Sequence, residues 1–336
     1  MHTKRISLSY LCVLLLALGA SEIATGCGPF TSSDLPPTKH IYVTQASSVE
    51  LFPLTASGNV APSITISGIT SGFSDARSSA FDANGNIYIA DAAGDTVVVF
   101  PANASGTTTP IRTIAGAATL LGLPRGIALD TKGNIYVSNS GDANNSNVAS
   151  VTVYAAGAAG NVSPTAVISG AATGLSFPNG IALDTLGRIY VANGTDLSGL
   201  GLGSVTVYAA NATNNASPTV TISGAATELS EPQGLALDTS GNIYVSNRGG
   251  NSVTAYSAGA TGNASPAKTI SGTATGLSTP NGIALDAQGN LYVTNEGAGS
   301  VTVYPASATG NAAPTATISG AATGLNAGTI QGVAIH

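Results

Sequence analysis

The chain has 336 residues, a formal net charge of −6 and only 10 Lys and Arg. So thin a basic complement, with no basic cluster and no interleaved aromatics, excludes nucleic-acid binding through phosphates. Charged residues are 8 % of the chain, Gly numbers 42 and Trp is absent, a balance expected of many short strands joined by small-residue turns.

At the start, Lys4-Arg5 precedes an apolar run over residues 6–20 that is too short for a comfortable membrane span. Residues 1–26 therefore read as a signal peptide, with Leu18-Gly19-Ala20 as one small-residue cleavage site. Ala24-Thr25-Gly26-Cys27 resembles a bacterial lipobox, although Ala24 stands where Leu is favoured and Glu22 lies close upstream. Cys27 is the candidate lipidation site, the alternative being an incidental thiol. Cys12 falls inside the apolar run, so the folded domain is expected to hold no disulfide. Residues 27–39, with Pro36-Pro37, read as a tether. The expected location is extracytoplasmic, as a cell-envelope lipoprotein or a secreted protein, with membrane contact only through the lipid.

From residue 40 onward a cassette dominates. G-I-A-L-D-x-x-G-N-I-Y-V-x-N occupies 126–139, 180–193, 234–247 and 282–295 with small changes, and a weaker copy occupies 78–91. Its Asp falls at Asp82, Asp130, Asp184, Asp238 and Asp286, in steps of 48, 54, 54 and 48 residues. Such a period with several strands per repeat predicts a propeller. Each repeat contains four Val/Ile/Thr/Tyr-rich runs of alternating polarity. The D-x-x-G-N segment reads as a hairpin, the Asp accepting backbone hydrogen bonds and the Gly supplying positive φ.

The termini complete the count. Residues 332–336 form a first strand with nothing after it, and residues 41–45 a second strand with nothing before it. The predicted fold is all-β: a six-bladed β-propeller of four-stranded antiparallel blades over residues 40–336, its ring closed by pairing the C-terminal strand with the N-terminal strands.

The series P-x-G-I-A-x-D-x-x-G-N-I-Y-V-x-(D/N) resembles the NHL-repeat family of six-bladed propellers. It does not look like WD40, which needs Trp, and the kelch diglycine does not recur. The resemblance implies a binding-platform geometry; relatives include protein-binding modules, extracellular proteins and a few metal-dependent lyases, so function does not follow from it.

Two residue series map to one face around the channel. Arg77, Arg125, Asn179, Gln233, Asn281 and Gln331 precede the first strands; Gln45, Asp91, Asn139, Asn193, Asn247 and Asn295 end the second strands. Together they would form a polar funnel, the alternative for the second series being that its amides cap strand ends. Arg77 and Arg125, in neighbouring blades, could receive a carboxylate or phosphate bidentately, and Glu231 and Glu296 stand across the ring, which would suit a zwitterionic or peptide-like ligand. Loops 140–150 and 194–204 are each six residues longer than their counterparts. Leu197, Leu200 and Leu202 could form an apolar edge there. Asp142, Asn144, Asn145 and Asn147 lack the carboxylate density of a calcium loop.

Catalysis finds little material. His40 and His336 flank the closure on the opposite face, and no nucleophile–base set or phosphate loop is evident. No catalytic residue, metal or cofactor is assigned. The expected function is a non-catalytic envelope-associated or secreted platform that binds a protein, peptide or glycan through its loop face. The alternative is a metal-assisted lyase or lactonase-like enzyme using Glu231, Glu296 and Asp91 with the Asn ring. Seven N-x-S/T sequons, Asn103, Asn161 and Asn263 among them, read as a by-product of the repeat.

Overall fold

The structure is a computed structural model that describes residues 39–67, 72–141, 148–194 and 203–336. The signal-peptide and Cys27 readings lie outside these residues. So do nearly all of the tether, Leu197, Leu200 and Leu202, and the Asp142 to Asn147 cluster.

Six four-stranded antiparallel sheets make six blades. The first joins Ile330–Ile335, innermost, to His40–Gln45, Ser48–Pro53 and Ile64–Ser67. Ile41 pairs with Ile335, Tyr42 with Ala334 and Val43 with Val333. The amide of His40 donates to the His336 carbonyl at 2.6 Å, and that of His336 to the His40 carbonyl at 3.1 Å. The ring thus closes with C-terminal and N-terminal strands in one sheet, as the terminal runs predict, and a broken edge is avoided. The inner strands of the second to sixth blades are Ala76–Phe81, Pro124–Leu129, Pro178–Leu183, Pro232–Leu237 and Pro280–Leu285.

Blades pack face to face through apolar layers. Tyr88, Val97, Val99 and Ile114 of the second blade form one cluster with Ile127, Ile135, Val137 and Tyr154 of the third. Alternation along each strand places one apolar face against each neighbour, so a Val or Ile run buried on both sides follows from the stacking. Each seam is also stitched at its periphery by a single parallel bridge, from Ile66↔Gly106 round to Gly58↔Ile318.

Asparagines lock these seams. Asn161 Oδ1 accepts the Ala118 amide at 2.8 Å, and Asn215 and Asn263 do the same for Ala172 and Ala226. Three sequon asparagines are therefore engaged in holding the preceding blade's turn. The hairpin aspartates also behave as the sequence predicts: Asp130 Oδ1 accepts the amides of Lys132 and Asn134, both at 2.9 Å, and Oδ2 accepts Asn134 Nδ2 at 2.8 Å.

Candidate functional site

The inner strands carry a shared irregularity. Each shifts register near its start, between Ala76 and Ser78, Pro124 and Gly126, Pro178 and Ile181, Pro232 and Leu235, and Pro280 and Ile283; Ile330–Ile335 does so opposite Val43 and Gln45. Arg77, Arg125, Asn179, Gln233, Asn281 and Gln331 all sit in these bulges. A bulge bends the strand and re-aims the extra side chain. All six line one cavity of ≈ 70 Å³ at the channel.

The residue after each of these positions is Gly126, Gly180, Gly234, Gly282 or Gly332, with Ser78 in the second blade. A Cβ on Gly180 would stand 2.6 Å from the Gln233 carbonyl oxygen, and one on Gly332 2.6 Å from that of Arg77. The cassette glycine is thus required by the close approach of neighbouring inner strands. A hydroxyl completes several of these approaches. Thr294 Oγ1 accepts the Gly282 amide at 2.7 Å and donates to the Gln331 carbonyl at 2.5 Å. Thr44, Ser138 and Ser246 bridge in the same way. Ala90 and Ala192 occupy the equivalent positions of the second and fourth blades, which lack the bridge.

The bulge residues fall into two groups by their bonding. Arg77 donates Nη2 to Asp75 Oδ2 at 2.7 Å and Nη1 to Gln331 Oε1 at 3.1 Å. Asn281 Nδ2 donates to the same Gln331 oxygen at 2.6 Å, and Asn179 Nδ2 to the Pro232 carbonyl at 3.0 Å. Arg125 differs: its Nε donates to Ser140 Oγ at 3.2 Å, and among the described residues it has no acidic partner. Burial, and then the charge of Arg77, lower its pKa to about 10, partly offset by Asp75 and Glu296. It therefore remains a cation at neutral pH. Gln233 also makes no side-chain bond among the described residues.

Glu231 and Glu296 do come near each other, through a residue that sequence reasoning missed. Arg248 reaches Glu296 Oε2 from Nε at 3.2 Å and Glu231 Oε2 from Nη1 at 3.5 Å. The acidic side of the mouth is thus an acid–base–acid triplet of net charge about −1. Both missed charges had a signal in register: Arg248 follows Asn247 as Glu296 follows Asn295, and Asp75 aligns with Glu231 two residues before the bulge.

The second series does not line the cavity. Asn139, Asn193, Asn247, Asn295 and Asp91 are at most 1 % exposed, and Gln45 is 3 % exposed. Asn139 Oδ1 accepts the Gly122 amide at 3.2 Å and its Nδ2 donates to Thr152 Oγ1 at 3.1 Å. Asn193, Asn247 and Asn295 repeat both bonds. Asp91 accepts the amides of Ser74, Asp75 and Gly94, and Gln45 Oε1 accepts that of Asn326. The polar funnel is corrected to a single ring: these side chains cap backbone beneath the surface, because each entering loop presents amides that need an acceptor. For the same reason Asp91 does not join Glu231 and Glu296 as a metal ligand. Among the described residues no group of three His, Cys, Asp or Glu is placed to hold a metal ion.

A sequence profile of the family described as "Lactonase, 7-bladed beta-propeller" matches residues 188–323. No curated protein matches the chain. Among solved structures, the nidogen/laminin complex contains a chain 19 % identical, with a TM-score of 0.62 over 88 % of this chain and 98 % of that one. A protein of unknown function from Bacteroides caccae is 11 % identical, with a TM-score of 0.61 over 89 % and 98 %. The WD40 propeller domain of Doa1 is 12 % identical, with a TM-score of 0.55 over 84 % and 79 %. These likenesses are to the propeller fold, built here with six blades.

Proposed function

We propose that this protein is a non-catalytic β-propeller of the NHL type, displayed outside the cytoplasm, that binds a protein, peptide or glycan ligand at the mouth of its channel. One observation carries the reading: six bulges of equivalent geometry present Gln, Arg, Arg, Asn, Gln and Asn to one cavity, while the glycines beside them hardly vary. A constant frame carrying variable polar side chains is the arrangement by which rigid scaffolds host recognition. The test is a peptide and glycan array probed with wild type and with the triple variant Asn179→Ala, Gln233→Ala, Asn281→Ala. Binding lost in the folded variant is expected; binding that persists would remove the channel mouth as the site. Display outside the cytoplasm rests on residues 1–26 and Cys27, and intact mass of the native protein tests it through acyl chains on Cys27.

The profile match over 188–323 favours a second reading, a lactone-processing enzyme. Turnover of a lactone panel, lost in Arg125→Ala, would establish it in place of the first.

A further inference from the structure

Building on the channel-mouth reading, we infer that the mouth recognises a carboxylate, held by the guanidinium of Arg125 beside Arg77. Three observations converge. Arg125 is half-buried on the cavity wall and, among the described residues, bonds only Ser140 Oγ, leaving both Nη groups free of protein acceptors. Arg77 lines the same cavity, held there by Asp75 and Gln331, and adds its positive charge to that of Arg125. The other described arginines are differently placed. Arg188 and Arg248 are ion-paired, and Arg112 donates to Tyr88 Oη at 2.6 Å, away from the channel.

Shape and charge select the anion. A guanidinium presents a planar fork that matches a carboxylate's two oxygens. A group of that size fits within the cavity. Asp75 and Glu296 lie close enough to act on the charge of Arg125, and penalise a dianion there more than a monoanion. A singly charged carboxylate fits this balance better than phosphate. Gln233, whose amide makes no side-chain bond among the described residues, lines the cavity as a further donor for the ligand's polar atoms.

Ligand-observed NMR with the full chain tests the inference, using propionate, its uncharged counterpart propionamide, and inorganic phosphate. Propionate is expected to bind and propionamide not, with propionate affinity reduced at least ten-fold in Arg125→Gln and less in Arg125→Lys. Circular dichroism and the melting temperature establish that both variants are folded. N-acetylglycine and glucuronate then separate a peptide source of the carboxylate from a sugar source. Equal binding of propionamide, tighter binding of phosphate, no binding of any carboxylate, or indifference to Arg125→Gln would overturn the inference. If the array signals survive in Arg125→Gln while no carboxylate binds, this inference falls and the platform stands; if carboxylates bind but the triple amide variant leaves the array unchanged, the platform reading falls.

Discussion

Thr294 Oγ1 stands between two blades, accepting the amide of Gly282 in its own sheet at 2.7 Å and donating to the carbonyl of Gln331 in the next at 2.5 Å. The hydroxyl satisfies two backbone groups that the bulge removes from the sheet ladder. It also fixes the backbone on which a channel residue is mounted.

The seams without this hydroxyl are the places to add it. In Ala192→Ser the new Oγ would lie between the Gly180 amide and the Gln233 carbonyl, and in Ala90→Ser between Ser78 and the Arg125 carbonyl. Each is expected to raise stability by about 0.5–1.5 kcal/mol. Ser246→Ala is expected to lower it by a similar amount. Denaturant titration measures all three, and a loss of stability in Ala192→Ser would show that the seam has no room for the oxygen.

The cassette glycines should tolerate no side chain. A Cβ on Gly234 would stand 2.6 Å from the Asn281 carbonyl oxygen, so Gly234→Ala must push two inner strands apart. Such overpacking costs about 1–3 kcal/mol, occasionally more. A fall in the unfolding midpoint is expected, whereas Gly259→Ala, with nothing near its Cβ, isolates the cost of a positive φ of 81° alone.

Beneath the mouth, Thr152→Val would remove the hydroxyl that receives Asn139 Nδ2 while keeping the side chain's shape. An amide left short of a buried partner costs about 1–3 kcal/mol. The second blade has already lost both halves of the pair: Asp91 cannot donate from its side chain, and Val98 stands where the hydroxyl would be. Val98→Ala is therefore expected to act through lost packing alone, and the two variants should differ in heat capacity and side-chain hydrogen-exchange signatures as well as in midpoint.

Acid should weaken the hairpins. Burial pulls the Asp184 carboxyl upward, but the hydrogen bonds from the Arg188 side chain and amide, the Arg188 charge and the Leu186 amide hold it below its ordinary value. Its folded pKa thus lies under the unfolded value of about 3.9. The contribution is present above that value and is lost as pH falls through the folded pKa. Asp184→Asn should be less stable than wild type near neutrality and should lose less between about pH 5 and about pH 3. Parallel acid limbs for the two proteins would exclude Asp184 as a source of the pH dependence.

The architecture was legible because it rests on local chemistry repeated along the chain. D-x-x-G-N makes a hairpin wherever it occurs, alternating Val, Ile, Thr and Tyr make strands, and the orphan strand at each terminus can pair only with the other. That the first series gathers at one cavity was legible too, since Arg77, Arg125, Asn179, Gln233, Asn281 and Gln331 occupy equivalent places in a constant frame. Its partners were not. Asp75 and Arg248 lie outside the series: Asp75 pairs with Arg77 only two residues on, whereas the pairings of Arg248 with Glu231 and Glu296 cross between loops whose separation in space the sequence does not state.

The second series shows where local reasoning stops. Asn139 and Arg125 both border loops of the same face, and either could turn toward the channel. Strand periodicity assigns a side chain to one side of its sheet, but the bulge that lifts Arg125 to the cavity depends on how tightly neighbouring inner strands approach at Gly126 and Gly180. The burial of Asn139 depends on where the preceding loop leaves the Gly122 amide. The sequence by itself determined six blades, their hairpins and their closure, through interactions a few residues long or repeated in register. Only the tertiary structure decided which polar ring faces the channel and which cation there is left without an acid, because both follow from packing between blades that are far apart in the chain.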